Sequence, residues 1–204
     1  DSWDEMDKSH KDGFKKIENY DNKILFGHSI GALVAVHGIL NNVINPDYLI
    51  LTAPTFQVNY PEFLKKLAKP LSSLAPNLRS FSNVTKNNLT NDKDVVKNYF
   101  NDPLVFRSIT FRTGYEIIKA QDYVNSNIKN LNIETLVLHG ENDTISPIQG
   151  SLELSKLENV KYIKVENSKH EILNQDTRMY ALSEIHEWLC LLYTSDAADE
   201  WWCV

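Results

Sequence analysis

The segment Gly27-His28-Ser29-Ile30-Gly31 sets a serine between small residues, directly after the apolar run 23–26 and directly before the apolar run 30–40. A strand that turns sharply into a helix at a serine lifts the hydroxyl to the carboxyl edge of a sheet, and flanking glycines let that turn close without clashes. The backbone N–H of Ile30, at the helix start, then points to where charge would develop on a substrate oxygen. A serine hydroxyl is a weak nucleophile unless a base takes its proton and a carboxylate orients that base. In strand–turn–helix sites of this kind the acid and the histidine follow the serine in chain order.

Asp143, in Leu138-His139-Gly140-Glu141-Asn142-Asp143, is the acid candidate, just past the end of a third apolar run. Glu141 is the nearby alternative, but Asp143 lies deeper in the loop, with Pro147 stiffening its exit. Six histidines compete for the base. His28 lies in the turn, His37 in the following helix, His139 in a strand, His186 on the last helical stripe and His10 near the chain start. His170 alone falls between the last strand-like run and the last helix. Taken singly, these motifs read as a glycine-rich turn, a helix-capping aspartate and a surface histidine. Their order joins them: Ser29 as nucleophile, Asp143 as acid and His170 as base.

Four runs rich in β-formers, 23–26, 48–52, 135–139 and 160–165, must position these side chains. Helical periodicity follows three of them. Strand alternating with helix predicts an α/β fold, a parallel sheet with helices on both faces. The run 30–40 is apolar nearly all round and predicts a buried helix. Ile148, Leu152 and Leu157 suggest a helix opened by Pro147. Met179, Leu182, Ile185 and Leu189 give a stripe on the last one, and Trp3, Met6, Phe14 and Ile17 mark an amphipathic helix at the start.

Between the second and third runs the texture changes. Prolines at 54, 61, 70, 76 and 103 and asparagine-rich stretches interrupt residues 56–128. Phe63, Leu64, Leu67, Leu71 and Leu74 form a helix-spaced stripe, with Lys65, Lys66 and Lys69 off it and Pro70 expected to kink it. The stripe reads as core rather than as a lipid-touching surface. The organisation expected is a core part carrying the nucleophile turn over 1–55, a helical cap over 56–128, and a core part carrying the acid and histidine over 129–190. Residues 191–204 change character abruptly and read as a non-native tail, CLLYTSDAADE resembling translated adapter sequence.

The chain has 204 residues, 42% of them hydrophobic and 24% charged, and a formal net charge of −6 with no long run of one sign. That composition suits a globular protein and argues against nucleic acid as a partner. No apolar stretch approaches the roughly 18 residues that span a bilayer, and no secretory signal opens the sequence, so a cytoplasmic setting is expected. Cys190 and Cys203 have no metal-ligand spacing and read as incidental thiols. No metal or organic cofactor is required by serine chemistry.

GHSIGA, LVLHGENDTISP and KHEILNQ resemble the turn, acid and histidine motifs of the monoacylglycerol lipase and lysophospholipase group of α/β-hydrolases. APNL at 75–78 and NDPLVFR at 101–107 resemble that group's lid. The resemblance covers roughly residues 1–190 and implies Ser29 as nucleophile, Asp143 as acid and His170 as base. It implies hydrolysis of a carboxylic ester, most naturally a monoacylglycerol or lysophospholipid, through an acyl-enzyme. A lipid-like ester is then the expected partner, with transient contact between the cap and a membrane surface. A small ester, thioester or peptide substrate, or a non-catalytic binding protein on the same fold, are the competing readings. Ala32 stands where the group often has a further glycine. The group also carries upstream strands and a His-Gly oxyanion motif that do not precede the turn here. The strand at 23–26 is therefore expected at a sheet edge, and the second oxyanion donor is expected from outside this sequence.

Overall fold

The computed structural model describes residues 2–58 and 61–196, with side chains as far as 192. Four parallel strands form the main sheet: β1 (Ile24–His28), β2 (Tyr48–Thr52), β5 (Glu134–Gly140) and β6 (Val160–Val165), in the order β1-β2-β5-β6. β1 lies at one edge, with Phe26 45% exposed.

On β2 the side chains alternate between two cores, as the pleat requires. Leu49 and Leu51 join a cluster with Leu33, Val36 and Val124, while Ile50 joins Leu136, Leu138 and Trp188 on the opposite face. The first cluster is covered by α2 (Ile30–Leu40) and α5 (Phe111–Asn127), the second by α6 (Arg178–Asp196). α2 buries Ala32, Leu33, Ala35, Val36 and Ile39, which accounts for a helix with almost no polar face. α1 (Trp3–Lys15) starts in a capping box between Ser2 and Glu5 and anchors through Trp3, whose indole N–H donates to His37 Nδ1 at 2.9 Å. Ile17 lies beyond its end and is exposed.

Between β2 and β5 come α3 (Glu62–Leu74), β3 (Arg79–Phe81), α4 (Lys93–Asn101), β4 (Ser108–Thr110) and α5. β3 and β4 pair antiparallel, a feature the sequence did not suggest. α3 runs through Pro70, so the proline interrupts the hydrogen bonding without ending the helix. The expectation that the α3 stripe is core fails. No residue of α3 is buried, and Phe63 and Leu74 are 62% and 85% exposed. Leu64, Ala68 and Leu71 instead line an open apolar groove shared with Ile109 and Ile118.

Two other helical expectations shift. Residues 148–157 form short 3-10 turns, Ile148–Gly150 and Leu152–Lys156, rather than an α-helix. Gly150 is pressed so close to Gln57 that a Cβ would lie 2.6 Å from that side chain, and Ser151 and Ser155 donate back to the carbonyls of Ile148 and Leu152. Such local side-chain bonds compete with the helical ladder. On α6 the buried face is turned: Ala181 and Trp188 are buried, while Met179 and Leu182 are exposed. Cys190 lies on α6, its Sγ 3.7 Å from His186 Nε2. Cys203 and residues 197–204 of the expected tail lie outside the described residues.

Candidate active site

The turn between β1 and α2 puts Ser29 at φ 54°, ψ −121°, a backbone state that L-residues rarely adopt and that costs roughly 1–3 kcal/mol. Three backbone bonds hold it there. Ser29 N–H donates to Thr52 O at 3.0 Å, and Ser29 O accepts from Ala32 N–H at 3.1 Å and from Thr55 N–H at 3.2 Å. Gly27 is needed for closure, since a Cβ there would lie 2.8 Å from Ala32 Cα. Ala32 itself fits in this turn without displacing it.

Ser29 Oγ lies 2.8 Å from His170 Nε2, and His170 Nδ1 lies 2.8 Å from Asp143 Oδ2. The three side chains expected from separate strand ends therefore form one continuous hydrogen-bonded chain. Asp143 Oδ1 accepts from the backbone N–H groups of Ile145 and Ser146, each at 2.9 Å. Burial opposes ionisation of Asp143, but hydrogen bonds from His139 and His170 and the nearby imidazole charge outweigh it. The carboxyl is held well below the usual range. As a carboxylate it can only accept, so His170 Nδ1 carries a proton. The Nε2 lone pair of the neutral ring then faces the serine hydroxyl. A hydroxyl so placed can pass its proton to the imidazole as it attacks a carbonyl carbon. Glu141, the alternative acid, points away to an exposed ion pair with Lys164 at 2.6 Å.

The end of β5 presses on the loop that carries His170. A Cβ on Gly140 would collide with Lys169 O and lie 2.6 Å from Ser168 O, while Asn142 N–H donates to Ser168 O at 2.8 Å. Three supporting side chains were not foreseen. Thr55 Oγ1 lies 3.1 Å from Ser29 Oγ and 2.7 Å from Ser146 Oγ, a hydroxyl row beside Ser29. His139, fully buried, sets Nε2 2.8 Å from Ser146 O and 3.4 Å from Asp143 Oδ2, with Nδ1 2.7 Å from Ser151 Oγ. Only the position of Thr55 just past a strand end could have signalled a role. Of the other histidines, His37 and His10 lie on the α1–α2 side and His186 on α6, away from this chain.

Ser29, Ile30 and His170 open into a cleft of about 280 Å³ whose walls include Ile145, with Val58, Leu89, Phe106, Ile109 and Ile117 contributed from the 56–128 segment. Ile30 N–H is the first of α2 and has no acceptor within its own helix, as at any helix start. It is the helix-start donor next to Ser29 in sequence.

Comparison with known proteins agrees with this architecture. A monoglyceride lipase homolog of monkeypox virus is 28% identical over 172 residues, covering 81% of this chain and 62% of its own length. The phospholipase YtpA of Bacillus subtilis is 31% identical over 100 residues, 47% of this chain and 38% of the relative. This chain thus spans less than two thirds of either relative. The crystal structure of Paleococcus ferrophilus monoacylglycerol lipase superposes with a TM-score of 0.84 at 24% identity, covering 93% of this chain and 75% of that one. A monoglyceride lipase of Saccharomyces cerevisiae gives 0.74 at 16% identity, covering 92% and 68%. The fold is that of an α/β-hydrolase, as expected. The family profile described as serine aminopeptidase, S33, matches residues 3–177, which include Ser29, Asp143 and His170, and the chain belongs to that family.

Proposed function

We propose that this protein is a serine hydrolase that cleaves carboxylic esters, a monoacylglycerol or lysophospholipid in particular, through an acyl-enzyme on Ser29. The observation that carries this reading is the unbroken Ser29–His170–Asp143 chain at the floor of an apolar cleft. Ser29 Oγ attacks the ester carbonyl carbon while its proton passes to His170 Nε2. The oxyanion that forms takes a hydrogen bond from Ile30 N–H, and Asp143 steadies the imidazolium. Collapse breaks the bond to the alcohol, which leaves with the proton from His170. Water then repeats the sequence and frees the fatty acid. The names of the viral and bacterial relatives, a monoglyceride lipase homolog and a phospholipase, support a lipid monoester. The apolar walls of the cleft support an acyl chain as the part bound.

An acyl-chain series tests the substrate. Each methylene that enters the cleft contributes up to about 0.8 kcal/mol, close to fourfold. kcat/KM for monoacylglycerols should therefore climb from short to medium chains before levelling off. A steady fall from acetyl upward would favour a small-ester enzyme instead.

The exposed stripe of α3 gives the cap a further role, contact with a membrane surface. Phe63, Leu67 and Leu74 are exposed apolar groups, with Lys65, Lys66 and Lys69 on the same helix. Among the described residues no helix is long and apolar enough to cross a membrane, so the contact would be at the surface. A lysine near an anionic surface contributes about 1 kcal/mol, less for Lys65, which is paired with Glu62 at 3.0 Å. Changing the three lysines to glutamine should weaken binding to vesicles containing phosphatidylserine by roughly tenfold or more. Hydrolysis of a soluble short-chain ester should be unchanged. Equal vesicle binding by the variant and the parent would contradict this role.

A further inference from the structure

Beside the chain from Ser29 to Asp143 stand an imidazole and a carboxylate that the mechanism above does not use. His28 immediately precedes the nucleophile, and Glu171 immediately follows the base. Their side chains meet across the site, His28 Nε2 lying 3.5 Å from Glu171 Oε1. The two histidine rings lie 5.1 Å apart between centroids, tilted by 53°. Each partner is fixed from behind. His28 Nδ1 is 2.9 Å from Thr52 Oγ1 at the end of β2, and Glu171 Oε2 accepts from Asn174 Nδ2 at 2.8 Å. The backbone N–H of Glu171 donates to Leu89 O at 3.0 Å, which ties the same loop to the 56–128 segment.

We propose that Glu171 and His28 form a second carboxylate–imidazole pair, a positioning pair that locks the loop bearing His170 to the turn bearing Ser29 and sets a standing negative charge beside the imidazole that must become protonated. This rests on the reading of His170 as the base. Thr52 can donate its hydroxyl proton to Nδ1 of a neutral His28, which leaves the ring proton on Nε2, the nitrogen nearer the glutamate. That nitrogen is buried, has no hydrogen-bond partner among the described residues, and lies 3.5 Å from the Glu171 carboxylate. A carboxylate half-withdrawn from water needs such partners to stay charged. The interaction with His28, against the opposing effect of burial, holds Glu171 at about 2, so its charge is constant wherever an imidazole titrates.

The charged and titratable groups around His170 come from every neighbouring element: Asp143 and, behind it, His139 from β5 and its loop, Ser29 and His28 from the turn, Tyr99 from α4, and Lys169 and Glu171 from its own loop. Lys169 is engaged with Asn87 O at 2.7 Å. Burial, then the charge of Glu171, raises the Tyr99 phenol, so it stays neutral. Two carboxylates, Asp143 and Glu171, therefore bear on the imidazole from different sides. Removing either should make protonation harder.

The test is Glu171→Gln, which keeps the shape and an acceptor oxygen and removes only the charge. The acid limb of kcat/KM should move to lower pH by roughly half a unit or more. Plateau kcat should fall several-fold and by more than KM changes, since the pair borders the cleft but its charge acts on the base. Glu171→Asp, which keeps the charge on a shorter arm, should hold the limb at its wild-type position. If Glu171→Gln does not fold, Glu171→Ser, which leaves room for water, is read in the same way. An acid limb that coincides with wild type in the charge-removing variant overturns the proposal and leaves His170 as base. A wild-type enzyme with no acid limb at all would overturn both.

Discussion

Replacing Ser29 by alanine is expected to lower kcat by on the order of 10⁴-fold or more, the scale seen when a triad nucleophile is deleted. The residual rate would reflect the remaining oxyanion contact and binding alone. Stability should hardly change. Alanine keeps the strained φ of 54°, and the hydroxyl bonds lost, to His170 Nε2 at 2.8 Å and Thr55 Oγ1 at 3.1 Å, lie at a cleft that water can enter. Ser29→Gly makes the contrast informative. It should be as inactive, yet more stable by about 1 kcal/mol, because glycine adopts positive φ without steric cost. Steady-state kinetics and thermal unfolding of both variants check this. A Ser29→Ala enzyme with more than a tenth of wild-type activity would remove Ser29 from the chemistry.

Asp143→Asn should be nearly as damaging for a different reason. The amide group can still accept from Ile145 and Ser146 N–H through its oxygen, both now at 2.9 Å to Oδ1. Its NH₂ then faces His170 Nδ1, which must become the acceptor. The imidazole is driven into the tautomer that carries its proton on Nε2, toward Ser29, where it cannot take another. A loss of about 10⁴ in kcat follows from that inversion. Asp143 also contributes stability in its charged form. Its folded-state ionisation lies below that of an exposed aspartate, so this stability is present above the unfolded value and is lost as pH falls toward the folded one. The asparagine variant should therefore lose part of the parent's acid-side dependence of unfolding. An unchanged kcat, or an unchanged pH dependence of stability, would contradict the assigned geometry.

How far the sequence could be read follows from what each feature depends on. Ser29, Asp143 and His170 could be singled out as a candidate set because each stands where a β-rich run ends, and their order is set by chain connectivity. The burial of α2 was recognisable because its composition has no polar face. Other features depend on partners distant in sequence. The α3 stripe has the spacing of a core helix, but spacing does not say whether a second surface covers it, and Phe63 and Leu74 remain exposed. Ile148, Leu152 and Leu157 keep helical spacing, yet the approach of Gln57 to Gly150 and the serine back-bonds favour 3-10 turns. On α6 the bulk of Trp188 and the close fit of Ala181 select a face turned away from Met179. His139, Thr55, Ser146 and the His28–Glu171 contact arise only when strands distant in sequence become neighbours. Apart from the position of Thr55 just past a strand end, no local pattern marks them.

We propose that one serine, activated by His170 and Asp143, attacks an acyl carbonyl. The most direct measurement is reaction with a fluorophosphonate followed by mass spectrometry of the digested protein. The phosphonyl group is expected on Ser29 alone, forming at a rate that drops by orders of magnitude in His170→Ala. No adduct on Ser29, or equal labelling of Ser29 without His170, would contradict the account.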